Sequence, residues 1–353
     1  MSVQTSCPAA SRRRARTAHR LRRFLSPVCG SSTEAATVFH VLGVLALRAT
    51  RLLVVLVAVS FASQLLINLL PGDPTLAILG TGATEEARAE LREAMDLDQN
   101  PIQRYVEWLG GALRGDLGES VTNRTSVTET IGERLPLTLE LLIASVVLAL
   151  VVALALALLT ADKPDGLPAR ASSAVSLVFL SSPTFVVGIG LAAVVGLQLG
   201  WLDIGGYTPP EDGLLQHVRS IILPVLTLAL GQVALYYRML HVDLSATLKE
   251  DYIVLARLRG YGRWRVLVHH ALRPSLTSLL TVIGLSLGAL MGGSVIVESL
   301  FGLPGVGRLL VDAGLSRDFV TLQGAVLVIA FAYVVINLSV DIMYALLDPR
   351  IRT

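Results

Sequence analysis

The sequence predicts an all-α integral membrane protein with six transmembrane helices. Of its 353 residues, 53% are hydrophobic and only 16% are charged, whereas soluble domains carry roughly a quarter charged residues. The apolar residues are gathered in long blocks of Leu, Val, Ala and Ile. A block of about 20 such residues is long enough to cross a bilayer as a helix. A membrane is therefore the expected environment of most of the chain.

Six apolar blocks define the predicted spans. In chain order they cover residues 51–70, 137–160, 171–200, 221–240, 276–301 and 324–347. Pro183 interrupts the third block, and we expect a kink there, since a membrane helix tolerates proline when its neighbours satisfy the freed carbonyl. In the fifth block Gly284, Gly288 and Gly292 share one helical face, which favours close packing of two helices over contact with lipid.

The first 36 residues, 1–36, form a polar tail with seven arginines and no acid before Glu34. We expect a disordered cytoplasmic segment that helps to fix the topology of the membrane domain, residues 37–353. A targeting signal and a contact with anionic lipid are the alternatives. Cys7 and Cys29 both lie in this tail, so no disulfide framework, no Cys/His metal site and no cofactor are predicted.

The segment 71–136 is a polar insert between the first two spans, with twelve acidic and six basic residues. Thr84 is a good N-cap for a helix that begins at Glu85, and a second helix is predicted over 102–113. The sequence GDLG at 115–118 predicts a turn. The insert is therefore expected to be a small folded helical subdomain.

The distribution of Lys and Arg predicts the orientation of the chain. Six spans place both termini on one side. That side, with the loops 162–170 and 241–275 and the adjoining Arg51 and Arg238, carries 20 of the 29 Lys and Arg residues. Short loops rich in Lys and Arg stay in the cytoplasm. We therefore expect both termini and the loop 241–275 in the cytoplasm, and the acidic insert on the outer side.

The loop 241–275 is more patterned than a simple connection between two spans needs to be. It carries five arginines after Glu250. Apolar residues recur at helical spacing before Gly260, which predicts an amphipathic helix that the glycine ends in a left-handed conformation. Those residues are Leu244, Leu248, Tyr252 and Leu255. On this pattern alone, docking of another protein and contact with anionic lipid are equally open.

The stretch 251–275, DYIVLARLRGYGRWRVLVHHALRPS, resembles the EAA loop, the cytoplasmic signature of ABC-importer permeases. It is similar to the version found in the dipeptide, oligopeptide and nickel permease family. Ala256 and Gly260 match the alanine and the glycine of that pattern, and Leu272 matches its later leucine.

Other segments resemble the same family, in the same order along the chain. They are PGDP at 71–74, GDLG at 115–118, ILP at 222–224, ESLF with PGVG at 298–307, and DPRIR at 348–352. Leu255 and Arg273 depart from the general loop pattern, as they commonly do in the peptide branch. The resemblance leaves only the basic tail outside it.

This resemblance implies a type I ABC-importer permease fold with an extracytoplasmic helical insert between the first two spans. It implies a multi-pass transport subunit of the cytoplasmic (plasma) membrane. The expected partners are a second permease subunit in a heterodimer, two cytoplasmic ATP-binding subunits, an extracytoplasmic solute-binding protein and membrane lipid, but no nucleic acid. The chain has no GxxxxGK[ST] loop to bind ATP phosphates, so it is expected to be no enzyme and to have no catalytic residues.

Peptides are the expected substrate, because this branch mostly carries them. Nickel chelates or another small solute are the alternatives within the family. A secondary transporter is the alternative from a different class. It would need inverted repeats with broken helices and central charges, and the sequence shows no such internal symmetry.

The resemblance also implies which residues couple the chain to an ATP-binding subunit. Tyr252, Ala256 and Gly260 are expected to form the core of that contact. Asp251 and Arg257 are expected to flank it with polar contacts.

Polar residues inside the spans give a weaker prediction. Such groups are costly in lipid and tend to face a path through the protein. Gln64, Asn68 and Asn337 are predicted to line such a path for the substrate. The paired histidines at 269–270 have no partner at metal-ligand spacing, so we interpret them as solvated or docking residues.

Overall fold

The computed structural model describes residues 50–65, 75, 82–94 and 99–347, and most of these are helical. In chain order the helices are α1 (Thr50–Leu65), α2 (Glu85–Ala94), α3 (Pro101–Ala112), α4 (Val127–Thr160), α5 (Leu167–Ser181), α6 (Thr184–Leu191), α7 (Leu214–Thr247), α8 (Asp251–Leu258), α9 (Leu272–Phe301), α10 (Val306–Leu315) and α11 (Phe319–Leu347). A π-helical segment, Ala192–Gln198, extends α6, and another, Val266–Ala271, leads into α9. The described part contains no β-strand beyond one isolated bridge, which confirms the all-α prediction.

The main core lies where α7 packs against α4, α5 and α9. On α4, Ala149, Ala153 and Ala157 follow one another at one-turn spacing and have no exposed surface. Such small residues let two helix backbones approach closely. On α7, Tyr236 and Tyr237 are equally buried in the same core. The Tyr236 hydroxyl lies 2.9 Å from the Ser286 hydroxyl of α9, and the Tyr237 hydroxyl lies 3.4 Å from the Thr160 hydroxyl of α4. The sequence thus makes α7 the central helix of the bundle.

Four stretches of the described residues are long and apolar enough to cross a membrane: Val127–Thr160, Leu214–Thr247, Arg263–Phe301 and Phe319–Val340. They correspond to the second, fourth, fifth and sixth predicted spans. The first is represented by α1, which is shorter than a span. Four predicted features lie outside the described residues. They are the end of the first span at 66–70, the PGDP turn at 71–74, the basic tail and the DPRIR end.

Two of the long helices begin before the spans predicted within them. α4 begins at Val127 rather than at residue 137, inside the segment predicted as the insert, because Ser126 caps it. The Ser126 hydroxyl accepts a hydrogen bond from the Glu129 N–H (3.4 Å), and the helix continues through Pro136. α7 begins at Leu214 rather than at residue 221 and runs to Thr247. Sequence composition marks the apolar middle of these helices but not their polar ends.

The third predicted span is broken rather than kinked. The stretches Leu167–Ser181 and Thr184–Gln198 differ in direction by 110°. Ser182 between them is extended, with φ −91° and ψ 128°, and Pro183 has no N–H to continue the helical ladder. A single proline inside a helix would leave its two halves roughly aligned, so the extended residue causes the difference.

The helices and the turn predicted for the insert are confirmed. The Thr84 hydroxyl accepts a hydrogen bond from the Ala87 N–H (3.3 Å), as an N-cap does. Gly115 and Gly118 have φ of +88° and +95°, the left-handed conformation that a tight turn requires. Leu117 of this turn packs in a second apolar cluster with residues of α4, α10 and α11. The turn is therefore fixed to the ends of the long helices.

Candidate coupling site

The loop between α7 and α9 folds as the short helix α8 followed by a return segment. α7 ends at Thr247 and α8 begins at Asp251. Gly260 has φ +83°, and its N–H donates to the Arg257 carbonyl (2.9 Å). The glycine therefore ends the helix in the left-handed conformation, as predicted. Residues 263–271, α-helical and then π-helical, return the chain to α9.

α8 has one buried and one exposed apolar side. Ile253 has no exposed surface and Ala256 is 6% exposed, and both belong to the main core. Tyr252, Leu255 and Leu258 are 44%, 55% and 78% exposed. We call these three side chains the α8 face. The helix is thus anchored on one side and presents apolar surface on the other.

The predicted apolar stripe is wrong in its register. Leu244 is buried inside α7, and Leu248 is the C-cap of that helix. The chain then turns over 248–250, so the spacing that joins these leucines to Tyr252 and Leu255 does not run along one helix. For this reason Tyr252 and Leu255 are exposed instead of resting on the bundle.

Asp162 connects both arms of the loop to the end of α4. It lies in the turn after α4, and its carboxylate forms ion pairs with Arg257 (Oδ1–Nη2 3.8 Å) and with Arg263. These arginines stand on either side of Gly260, so one carboxylate holds both sides of the bend. Asp162 was not among the predicted coupling residues. The available signal was an acid in a short polar joint on the side predicted to be rich in arginine.

Aromatic rings brace the return segment. Tyr261 stacks on His270 with ring centroids 5.5 Å apart, and the Arg265 guanidinium lies 5.1 Å from the centre of the Tyr261 ring. The Tyr252 hydroxyl donates to the His270 carbonyl (3.5 Å). Burial, followed by the Glu250 carboxylate, raises the pKa of Tyr252 above its ordinary value. The phenol therefore stays protonated, and remains a donor, at neutral pH.

Of the five residues predicted to couple the chain to a partner, four lie at the surface of this loop. Asp251, Tyr252, Arg257 and Gly260 are exposed. Ala256 is buried against the bundle, so it can support the helix but offers almost no area to a partner. Within the described ranges no group of three or more His, Cys, Asp or Glu side chains could hold a metal ion.

Of the three residues predicted to line a substrate path, the structure describes Gln64 and Asn337. Gln64 is 3% exposed. With its amide oxygen oriented toward Arg104, it accepts from that guanidinium (3.1 Å) and donates to Gln323. This buried cluster joins α1, α3 and α11, which favours a structural role for Gln64. Asn337 donates to a carbonyl one turn earlier in its own helix (2.9 Å), and Asn68 lies outside the described residues.

Glu298, at the C-terminal end of α9, links the ESLF and PGVG segments in space. Its side chain has no exposed surface. The carboxylate accepts from the Arg308 N–H (2.9 Å) and from the Thr138 hydroxyl (2.8 Å), so it caps the N-terminus of α10. A Cβ at Gly307 would lie 2.9 Å from one carboxylate oxygen, and one at Gly305 would lie closer still. The two glycines therefore make room for the buried acid.

Two family models together cover most of the chain. Residues 153–353 match the inner membrane component of binding-protein-dependent transport systems. Residues 41–142 match the N-terminal part of the membrane component of such systems.

Similar proteins with curated names are transport permeases. A putative peptide transport system permease protein of Brucella abortus (strain 2308) is 37% identical over 305 residues, which is 86% of this chain and 97% of that protein. The glutathione transport system permease protein of Escherichia coli O6:H1 is 34% identical over 305 residues, with the same coverage. The oligopeptide transport system permease protein of Bacillus subtilis (strain 168) is 33% identical over 301 residues, 84% of this chain and 95% of that protein.

These similarities confirm the prediction of a transport subunit that is not an enzyme, and with the apolar helices they identify a multi-pass membrane protein. They also confirm the resemblance that the loop 251–275 and the ordered segments indicated. The chain belongs to the family of inner membrane components of binding-protein-dependent transport systems, in its peptide and oligopeptide ABC permease branch.

Proposed function

We propose that this permease moves peptides into the cell and that the α8 face docks into a groove of an ATP-hydrolysing subunit. The named relatives carry peptides, oligopeptides or glutathione, and these solutes share peptide bonds. The complete transporter pairs the chain with a second, different permease subunit, two ATP-binding subunits and an external solute-binding protein. Six spans place both termini and α8 in the cytoplasm, and the insert 71–136 on the outer side.

The observation that carries this proposal is the exposed apolar side of α8. Tyr252, Leu255 and Leu258 lie together on a helix whose opposite side is fixed in the core. Monomeric proteins rarely expose grouped apolar side chains without a partner. A short helix with one apolar side suits recognition by a hydrophobic groove. Asp251 and Arg257 flank this side and supply the polar rim.

The packing of α8 supports transmission of movement from the partner to the spans. Ile253 and Ala256 join α8 to the core that α4, α7 and α9 share, and Asp162 holds the loop to the end of α4. Because packed helices move as units rather than deforming continuously, closure of the ATP-hydrolysing subunits displaces α8 together with these helices. The spans then alternate between outward and inward openings.

Copurification tests the docking. The tagged chain is expressed with its neighbouring transporter genes, extracted in mild detergent and assayed for a bound ATP-hydrolysing subunit. Leu258→Asp introduces a charge into the α8 face, so we expect at least a tenfold loss of that subunit. Leu113→Asp is the matched control, since Leu113 is 82% exposed and Leu258 78% but Leu113 follows α3, far along the chain from α8.

Contact of α8 with anionic lipid is the competing interpretation, since arginines surround the helix. In that case Leu258→Asp would leave the bound ATP-hydrolysing subunit unchanged and would instead lower the binding of the chain to vesicles that contain anionic lipid. That pair of results would contradict the proposed docking.

A further inference from the structure

The break between α5 and α6 encloses a small polar pocket within the apolar bundle. The pocket has a volume of about 90 Å³. Ser182 and Thr184 line it from the break, Thr227 and Gln232 line it from α7, and Gly293 lines it from α9. Gln232 lies in the middle of the helix Leu214–Thr247, so the pocket lies at mid-depth of a predicted span. Secondary transporters place their solute sites at this depth, beside interrupted helices.

The side chain of Gln232 is incompletely satisfied in this pocket. Its amide oxygen is buried and has no hydrogen-bond partner among the residues that the structure describes. A buried acceptor without a donor is costly, and more so in a membrane, where no surrounding solvent can replace the missing partner. The arrangement is therefore expected to be completed by a molecule that brings a hydrogen-bond donor.

The other polar groups of the pocket also offer acceptors. The Ser182 hydroxyl donates to the Val178 carbonyl (2.8 Å), and the Thr227 hydroxyl donates to the Leu223 carbonyl (2.8 Å). Each hydroxyl has one proton, so what remains available in the pocket is its oxygen lone pairs. With the Gln232 side-chain oxygen these oxygens form a neutral set of acceptors, beside which the Gln232 amide N–H2 and the Thr184 hydroxyl are neutral donors. No Asp, Glu, Lys or Arg lines the pocket.

We infer that this pocket is a solute site that binds main-chain N–H groups of the transported peptide, with the Gln232 side-chain oxygen as the principal acceptor. The inference rests on the proposed function, peptide import, and adds a specific contact between the permease and the peptide. A neutral acceptor set recognises the amide that all peptides share and ignores side-chain charge. Val187 of α6 lines the pocket, and Val186 and Ile189 on the same helix are about half exposed, so this side of α6 faces outward from the chain. A second permease subunit facing this side completes the path.

Ester analogues provide the sharpest test. The transporter purified with its copurifying subunits is reconstituted in vesicles, and uptake is measured for alanine peptides of two to five residues. Each peptide is compared with analogues in which one amide N–H at a time is replaced by an ester oxygen. The wild type is expected to take up at least one ester analogue about tenfold more slowly than its parent, the effect of losing one good hydrogen bond. Gln232→Leu is expected to take up the parent slowly and to show an amide-to-ester uptake ratio about tenfold smaller than that of the wild type.

The amide-to-ester uptake ratios of the two permease variants distinguish a contact in this pocket from selection by the solute-binding protein. The solute-binding protein also discriminates between amide and ester, but it does so equally for both permease variants. Unfolding is not a concern for Gln232→Leu, because replacing an unpaired buried amide by an apolar group of similar shape is neutral or stabilising. Gln216→Leu on the exposed part of the same helix is the matched control and should retain the wild-type ratio.

A second variant tests the pocket by filling it. Gly231 lines the pocket, and a Cβ there would meet nothing within 4 Å. Gly231→Val is therefore expected to fold and to lower peptide uptake at least tenfold. Gly190→Val, at an equally open glycine outside the pocket, should transport normally. Wild-type ester discrimination in Gln232→Leu, or normal uptake by Gly231→Val, would overturn the solute site. Failure of the wild type to import any of these peptides would instead overturn the proposed function.

Discussion

Asp162 and Arg257 form an ion pair across 3.8 Å between the turn after α4 and the last turn of α8. The two residues are 95 positions apart in the sequence. Because Arg263 on the far side of Gly260 pairs with the same carboxylate, the position of α8 relative to α4 depends on Asp162. The pair is partly exposed, so it fixes the position of α8 more than it stabilises the fold.

The first prediction concerns Asp162→Asn. Loss of the charge should change the free energy of unfolding by less than about 1 kcal/mol, since partly exposed pairs are screened by water. It should nevertheless lower the amount of peptide transported per ATP hydrolysed several-fold, because α8 is no longer held to α4. The ratio is measured in reconstituted vesicles. Asp165→Asn in the same turn is the control, since Asp165 forms no ion pair within the described ranges; an equal effect of both variants would contradict the role of Asp162.

The second prediction concerns Gly260. Gly260→Pro fixes φ near −65°, against the observed +83°, and removes the N–H that donates to Arg257. We expect the variant to reach the membrane but to lose ATPase activity that depends on transport. Gly260→Asn should retain most of this activity, because asparagine tolerates the left-handed conformation and a Cβ there meets nothing within 4 Å. Unchanged peptide uptake by Gly260→Pro would show that the bend is not needed.

The third prediction concerns the buried carboxylate of Glu298. Glu298→Leu leaves the Thr138 hydroxyl and the Arg308 N–H without their acceptor, so the free energy of unfolding should fall by about 3 kcal/mol. Glu298→Gln keeps an acceptor oxygen and should lose about 1 kcal/mol. Thermal unfolding in detergent gives the comparison, with the exposed Glu133→Gln as the control. Wild-type stability of Glu298→Leu would contradict the capping role.

The fourth prediction concerns the close approach of α10 to α9. A Cβ at Gly307 would lie 2.6 Å from the Val295 Cα, a backbone atom that cannot move aside cheaply. Gly307→Ala should therefore lower the free energy of unfolding by about 2 kcal/mol. Gly132→Ala, in α4 at a site where a Cβ meets nothing within 4 Å, should raise it by up to about 1 kcal/mol. If both variants unfold at the wild-type temperature, α10 packs less closely on α9 than the structure shows.

Features that depend on local composition were predictable from the sequence. The apolar blocks identified the long helices, because burial in lipid requires continuous apolar length. Gly260 identified the end of α8, because the left-handed conformation is intrinsic to glycine. Thr84 and the GDLG turn were predictable for the same reason: each acts on residues within a few positions of itself.

Features that depend on contacts between distant segments were not predictable. Glu298 lies 160 positions from Thr138, and nothing near either residue in the sequence indicates their hydrogen bond. The buried side of α8 could not be assigned from the sequence, because the turn over 248–250 interrupts the helical spacing between Leu244 and Tyr252. The break at Ser182 was underestimated, although the residue before a proline favours the extended conformation that Ser182 adopts.

The π-helical segment Val266–Ala271 has a consequence for how the chain tolerates insertions and deletions. A π-helical turn contains about one residue more than an α-helical turn. Deleting one residue there would restore an ordinary helix continuous with α9, but it would rotate everything before it by about 100° around the helix axis. Val266, Leu267 and Ala271 would leave the core, and the α8 face would turn away from its present direction. The extra residue thus sets the direction in which α8 meets the membrane helices. Length changes at this point should be selected against even though the local helix would accept them.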